Sequence, residues 1–152
     1  MTNAARTGTE ASIKPANSDR VSILIVDDNT SGAQTLRMLL DLDGYDVSVA
    51  NCGQDAIRQF QETIPSIVLL DIGLPDMSGY DVARQIRATT GGEHVTIMAI
   101  TGWGSERDQA LAKEAGCDLH ITKPVNFDRL EQLLKGEEFP SGVTRLERSR
   151  KI

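Results

Sequence analysis

Apolar positions along the chain follow two alternating rhythms. Val21, Ile23, Leu24, Ile25 and Val26 form a dense, largely β-branched run that stops at Asp27-Asp28-Asn29. Such a run reads as a strand buried on both faces. Ala33, Leu36, Leu39 and Leu40 then recur at helical spacing behind candidate caps at Asn29, Thr30 and Ser31, and Gly44 ends the helix. The two rhythms repeat. Tyr45 to Ala50 is a shorter, alternating strand. A helix starting around Gly53 turns Ala56, Ile57, Phe60 and Ile64 inward, and Pro65 closes it because proline cannot continue a helix. Ile67 to Asp71 is a third strand, followed by a loop over Gly73 to Gly79. Val82, Ala83 and Ile86 mark the next helix, which stops near Gly91-Gly92. Val95 to Ile100 is a fourth strand, ending in Thr101-Gly102-Trp103-Gly104. Ser105 with Asp108 resembles a capping box. The helix behind it is Ala-rich and short of large apolar anchors, so it is expected to be loosely held; Gly116 ends it. Asp118 to Thr122 is a short fifth strand, followed by Lys123-Pro124. Asn126 can cap a last helix with Phe127, Leu130, Leu133 and Leu134 on one face, ended by Gly136.

Strand and helix thus alternate five times in short units. That order specifies a parallel sheet with right-handed crossovers and helices on both faces. The expected class is α/β: a doubly wound, five-stranded parallel sheet of flavodoxin-like (βα)5 type with strand order 2-1-3-4-5. The domain spans 21–136. Residues 1–20, rich in Ala, Thr, Asn and Ser, read as a disordered N-terminal tail. Residues 137–152 show no clear periodicity and turn basic at Arg145, Arg148, Arg150 and Lys151. They read as a C-terminal tail, able to form a helical extension on docking.

Composition narrows the function classes. A chain of 152 residues suits one domain with tails and needs no disulfide or structural metal to fold. The net charge of −6 argues against general nucleic-acid binding, which rests on neutralising phosphates, and the basic end cluster reads as a solvated tail. Cys52 and Cys117 are too few and too scattered for a disulfide framework or a zinc site, and read as small buried hydrophobes. His94 reads as a solvated strand start, and Met38, Met77 and Met98 as core or loop fillers. No apolar run is long enough to span a bilayer, and the first twenty residues lack the core of a signal peptide. A cytoplasmic location without a membrane partner is expected.

The strand ends carry the chemistry. The first ends in Asp27-Asp28, the third in Asp71, the fourth in Thr101, and Lys123-Pro124 follows the fifth. Parallel strands put all of these on one sheet edge, and the order 2-1-3-4-5 makes strands one and three neighbours at the point where the winding reverses. Asp27, Asp28 and Asp71 then share one crevice. Three carboxylates repel one another unless something positive sits among them. A hard divalent cation with oxygen ligands suits the site, and Mg²⁺ is the usual choice. Lys123 adds a fixed positive charge and Thr101 a hydroxyl. Such a set can receive a phosphoryl group. Asp71 attacks phosphorus, Mg²⁺ and Lys123 neutralise the oxygens, and Thr101 hydrogen-bonds one of them.

This set resembles the receiver domain of two-component response regulators, over about Val21 to Lys135. The matching pieces are Ile25-Val26-Asp27-Asp28-Asn29, Leu69 to Tyr80 around Asp71, Ala99-Ile100-Thr101-Gly102, Glu114-Ala115-Gly116-Cys117-Asp118 and Thr122-Lys123-Pro124-Val125. Each piece alone is weak, but five in order and at the right spacing are a strong signal. The resemblance implies Asp71 as phosphoacceptor and Asp28 as direct Mg²⁺ ligand. It implies Asp27 acting mostly through a bound water and the Gly73 carbonyl completing the protein ligands. Lys123 would pair with the phosphoryl group, Thr101 would be the hydroxyl switch, and the peptide before Pro124 would be cis. The implied donors are phosphohistidines on a sensor histidine kinase or a histidine phosphotransfer protein. The chain would catalyse only its own phosphorylation and dephosphorylation.

Two departures bear on the switch. The family usually carries Tyr or Phe three residues before the lysine, where this chain has His120. It reads either as a half-exposed strand residue or as a smaller, titratable switch ring coupled to Thr101. Trp103 lies where side chains control water access to the acyl phosphate, opposite Gly73, which cannot position a water. Slow self-dephosphorylation with Trp103 as a shield is expected. Output is expected through residues 105–135, the fourth helix being the element most easily moved. With only a short stretch after Gly136, the leading expectation is a stand-alone receiver or one like those of hybrid kinases. It would signal by protein contact or relay. An aspartyl-phosphate hydrolase of the haloacid-dehalogenase type is the competing reading, but it wants a second Asp where Gly73 stands. A flavodoxin would face repulsion between its cofactor phosphate and Asp27-Asp28.

Overall fold

The computed structural model describes residues 20–102, 104–136 and 143–146. The first strand and helix are β1 (Ser22–Val26) and α1 (Thr30–Leu42), followed by β2 (Asp46–Ala50) and α2 (Gly53–Thr63). Next come β3 (Ile67–Asp71), α3 (Gly79–Ala88), β4 (Thr96–Thr101) and α4 (Glu106–Ala115). The chain continues through β5 (Leu119–Thr122), α5 (Phe127–Leu134) and β6 (Val143–Arg145). The sheet order is β2-β1-β3-β4-β5-β6. The first five strands are mutually parallel in the expected order, with Val26 opposite Leu70, Asp71 opposite Ile100 and Thr101 opposite Thr122.

The sheet separates two apolar layers. One packs Leu24, Val26, Val68, Leu70, Ile97 and Ala99 against Ala56 and Phe60 of α2 and Val82, Ala83 and Ile86 of α3. The other packs Ile23, Ile25, Leu69, Met98 and Ile121 against Ala33 and Leu40 of α1 and Leu130 and Leu133 of α5. Strand side chains alternate between these faces, so a strand covered on both sides must be apolar throughout. The capping signals act locally as read. The side-chain oxygens of Asn29, Ser105 and Asn126 accept backbone N–H bonds from Gly32, Asp108 and Arg129. Gly116, at φ +98, ends α4 in the left-handed region.

Local expectations are corrected at several points. Among the described residues the sheet has six strands, because β6 adds antiparallel to β5 with His120 opposite Thr144. The stretch 137–152 is therefore not all tail: Val143 joins one apolar layer and Leu146 the other, and the strand covers the free edge of β5. Residues 143–145 are a strand, not part of a helical extension. Ile64 is not on the inner face of α2. It is the left-handed C-cap at φ 44, 43% exposed, because Pro65 forbids another turn. On α1, Met38 is 65% exposed rather than a core filler, and Leu39 lies at the rim. Cys117 is buried as expected, whereas Cys52 is only half-buried at the start of α2. The regions 1–19, 137–142 and 147–152 lie outside the described residues.

Candidate functional site

The C-terminal ends of β1, β3, β4 and β5 bring the expected residues together. Asp71 is the last residue of β3 and is buried at 5% exposure, an unusual place for a carboxylate. Both of its oxygens have partners. The Gly73 N–H donates to Oδ1 at 2.9 Å, and the Lys123 ammonium donates to Oδ2 at 2.9 Å. Asp27 and Asp28 follow β1, the neighbour of β3. Carboxylate oxygens of Asp27, Asp28 and Asp71 all lie within 4.8 Å of one another, with Asp27 half-buried and Asp28 exposed. Burial raises the pKa of Asp27 above its ordinary value, and the charge of Asp71 pushes the same way; a hydrogen bond from the Asn29 N–H and the Lys123 charge work against it.

Thr101, buried at the end of β4, faces the same edge, and its carbonyl accepts from the Lys123 N–H at 2.8 Å. The Lys123–Pro124 peptide is cis. His120 is fully buried, which corrects the half-exposed reading. It pairs with Ala99 of β4 on one side and Thr144 of β6 on the other. Neither ring nitrogen has a hydrogen-bond partner among the described residues. Burial lowers its pKa below the ordinary 6.5, only partly offset by the charge of Asp108 on α4. Trp103 lies outside the described residues. The sequence reading passed over Asn51 and Asp76, which brace the crevice from the side of α2. Asn51 Nδ2 donates to the Asp27 carbonyl at 2.8 Å, and Asp76 accepts from two N–H groups at the start of α2. A polar residue at a strand end and an Asp after proline read as ordinary turn chemistry, so no pattern marked them.

The donor set fits a hard cation. Three carboxylates face one ammonium, leaving two negative charges for one divalent ion to balance. All of the donors are oxygens, as Mg²⁺ requires.

Fold and crevice together define a doubly wound α/β domain with an acidic strand-end site. The chain matches the response regulator receiver domain family over residues 23–135, and it belongs to that family. Members are phosphoacceptors in two-component signalling. The transcriptional regulatory protein TrcR of Mycobacterium tuberculosis is 32% identical over 124 residues, covering 82% of this chain and 48% of TrcR. The chain thus spans about half the length of that curated relative. The polar-differentiation response regulator DivK of Brucella ovis is 28% identical, covering 75% of this chain and 93% of DivK. Among solved structures, the receiver domain of the sensor histidine kinase PA1611 from Pseudomonas aeruginosa superposes with a TM-score of 0.70 at 29% identity, covering 77% of this chain and 96% of that one. That domain has a magnesium ion coordinated in its active-site cleft. Among the described residues, no helix is long and apolar enough to cross a membrane.

Proposed function

We propose that Asp71 accepts a phosphoryl group from a phosphohistidine on a sensor histidine kinase or a histidine phosphotransfer protein, in a Mg²⁺-dependent reaction. The observation that carries this reading is Asp71 itself, buried at the sheet edge, held by Lys123 and placed with Asp27 and Asp28 in one crevice. One Asp71 carboxylate oxygen forms a bond to phosphorus while the phosphorus–nitrogen bond of the donor breaks, and its electron pair returns to the imidazole. Mg²⁺, when held by Asp28, Asp71 and the Gly73 carbonyl with Asp27 acting through a water, supplies charge neutralisation at the phosphoryl oxygens. Lys123 exchanges its Asp71 contact for a phosphoryl oxygen, and the Thr101 hydroxyl donates to another.

The added charge draws Thr101 and the loop after it, and α4 follows. Output then passes to a protein partner, or along a relay, through residues 105–135. The test is incubation with Mg²⁺ and a small acyl phosphate, read by intact mass and by acid- and base-lability of the adduct. Wild type gains one phosphoryl group and Asp71→Asn gains none. Labelling of Asp71→Asn to the wild-type level, or none in wild type, overturns the reading.

A further inference from the structure

The β2–α2 connector touches both walls of the acidic crevice without supplying a carboxylate to it. On the β1 side, the Asp27 N–H donates to the Ala50 carbonyl at 3.0 Å, and Asn51 Nδ2 donates to the Asp27 carbonyl at 2.8 Å. The backbone of Asp27 is thus held through both its N–H and its C=O by consecutive residues. On the β3 side, the loop after Asp71 is closed at its base. Gly73 and Ser78 form an antiparallel bridge, and the Gly79 N–H donates to the Ile72 carbonyl at 2.9 Å. Asp76 lies inside this loop, exposed to solvent. Its Oδ1 accepts from the Gly53 N–H at 2.7 Å and its Oδ2 from the Gln54 N–H at 2.9 Å.

These two N–H groups are among those a helix start leaves unpaired. Cys52, at the cap position, makes no side-chain bond to them. Helix α2 is therefore capped from another element, and the cap is also a tether for the loop that carries Gly73. Packing reinforces it. A Cβ on Gly53 would stand 2.4 Å from Cγ and 2.8 Å from Sδ of Met77, so the glycine lets the loop lie directly on the helix.

We propose that Asn51 and Asp76 are positioning residues that hold the Asp27–Asp28 wall and the Gly73 loop at the separation the metal requires. This inference rests on the Mg²⁺ site proposed above. Neither residue touches the ion. Each fixes backbone that bears a ligand, the role for which outer-shell partners of metal sites are kept.

Calorimetric Mg²⁺ titration of the full chain tests it, at a temperature where thermal unfolding shows every variant folded. Asp76→Ala and Asn51→Ala are each expected to weaken Mg²⁺ binding about tenfold. Asp76→Asn, which can still accept at the helix start, is expected to bind within about twofold of wild type. That comparison separates position from charge, because Asn keeps one of the two acceptor oxygens at the helix start and not the carboxylate charge. Asn51→Ala changes no charge and carries the test if Asp76→Ala does not fold. Wild-type affinity in both alanine variants overturns the inference, and so does an Asp76→Asn as weak as Asp76→Ala. Asp28→Asn is the control for the underlying site. If it binds Mg²⁺ like wild type, the metal site itself is wrong and the inference falls with it. If it fails to bind while Asn51→Ala and Asp76→Ala bind normally, only the positioning role is wrong.

Discussion

His120 occupies a position that works against the folded state. Its two ring nitrogens are buried without hydrogen-bond partners among the described residues, and each such group costs about 1–3 kcal/mol. Burial also holds its pKa below the ordinary 6.5, with the Asp108 carboxylate opposing too weakly to reverse the direction. The folded chain therefore keeps His120 neutral while the unfolded chain takes up a proton as pH falls through the histidine range. The stability this group contributes is full above its unfolded pKa and is lost as pH drops toward its folded one. His120→Phe removes the titration. Its stability relative to wild type, from urea unfolding, should improve between about pH 7.5 and about pH 5.5 by up to about 1.4 kcal/mol per pH unit. Carboxylates shared by both proteins cancel in that difference. A gap that does not change with pH would show that His120 is not buried neutral. The sequence marked this position through its spacing from Lys123. It could not show the burial, because β6 pairs along one side of His120 and that pairing has no periodic signature in so short a run.

Among the helices of the described residues, α4 is the least anchored. Its buried residues are Ala112 and Ala115, whereas α3 buries Val82, Ala83 and Ile86, and α2 buries Phe60. At about 25 cal/mol per Å² of apolar surface, two alanines hold a helix far less firmly than two or three branched or aromatic side chains. Segments with few buried apolar contacts open at lower free energy than the whole molecule. Amide hydrogen exchange should therefore be faster in Glu106–Ala115 than in Gly79–Ala88. Equal protection in the two helices would remove the reason to assign the moving part to α4. This weakness was legible, since Ala-rich composition without large anchors is a sequence property. The elements read best were those with dense apolar runs and side-chain caps, such as β1, β3 and the starts of α1 and α5. Those read worst are Ile64, where the helical spacing was carried one residue into the cap that Pro65 imposes, and β6, whose place is set by a distant strand edge.

Across the molecule, the two ends of the sheet are built for opposite ends. At the edge away from the crevice, Arg87 of α3 donates to the carbonyls of Gly92, Val95 and Gly116 and to Asp118 at 2.7 Å. Asp118 in turn accepts from the Ile97 N–H at 2.9 Å, so α3, β4 and β5 are joined through one ion pair whose side chains are 13% and 15% exposed. Nothing in the sequence pattern singled out Arg87, because its partners are mostly carbonyls brought near only by the crossovers. At the other edge, Asp27, Asp28 and Asp71 crowd their charges around one lysine, an arrangement that favours a ligand at the expense of the empty fold. The two edges should separate in experiment. Arg87→Ala removes the cation paired with Asp118 and the donor to three part-buried carbonyls, and is expected to cost about 3 kcal/mol of stability. Its Mg²⁺ affinity should stay within about twofold of wild type, since distant sites add independently. Asp27→Asn should do the reverse, raising the thermal midpoint of the metal-free chain while shrinking the further rise that Mg²⁺ gives. Thermal unfolding of both variants with and without Mg²⁺ decides it. A metal-free Asp27→Asn less stable than wild type would mean that the crevice carboxylates are held by bonds outweighing their repulsion.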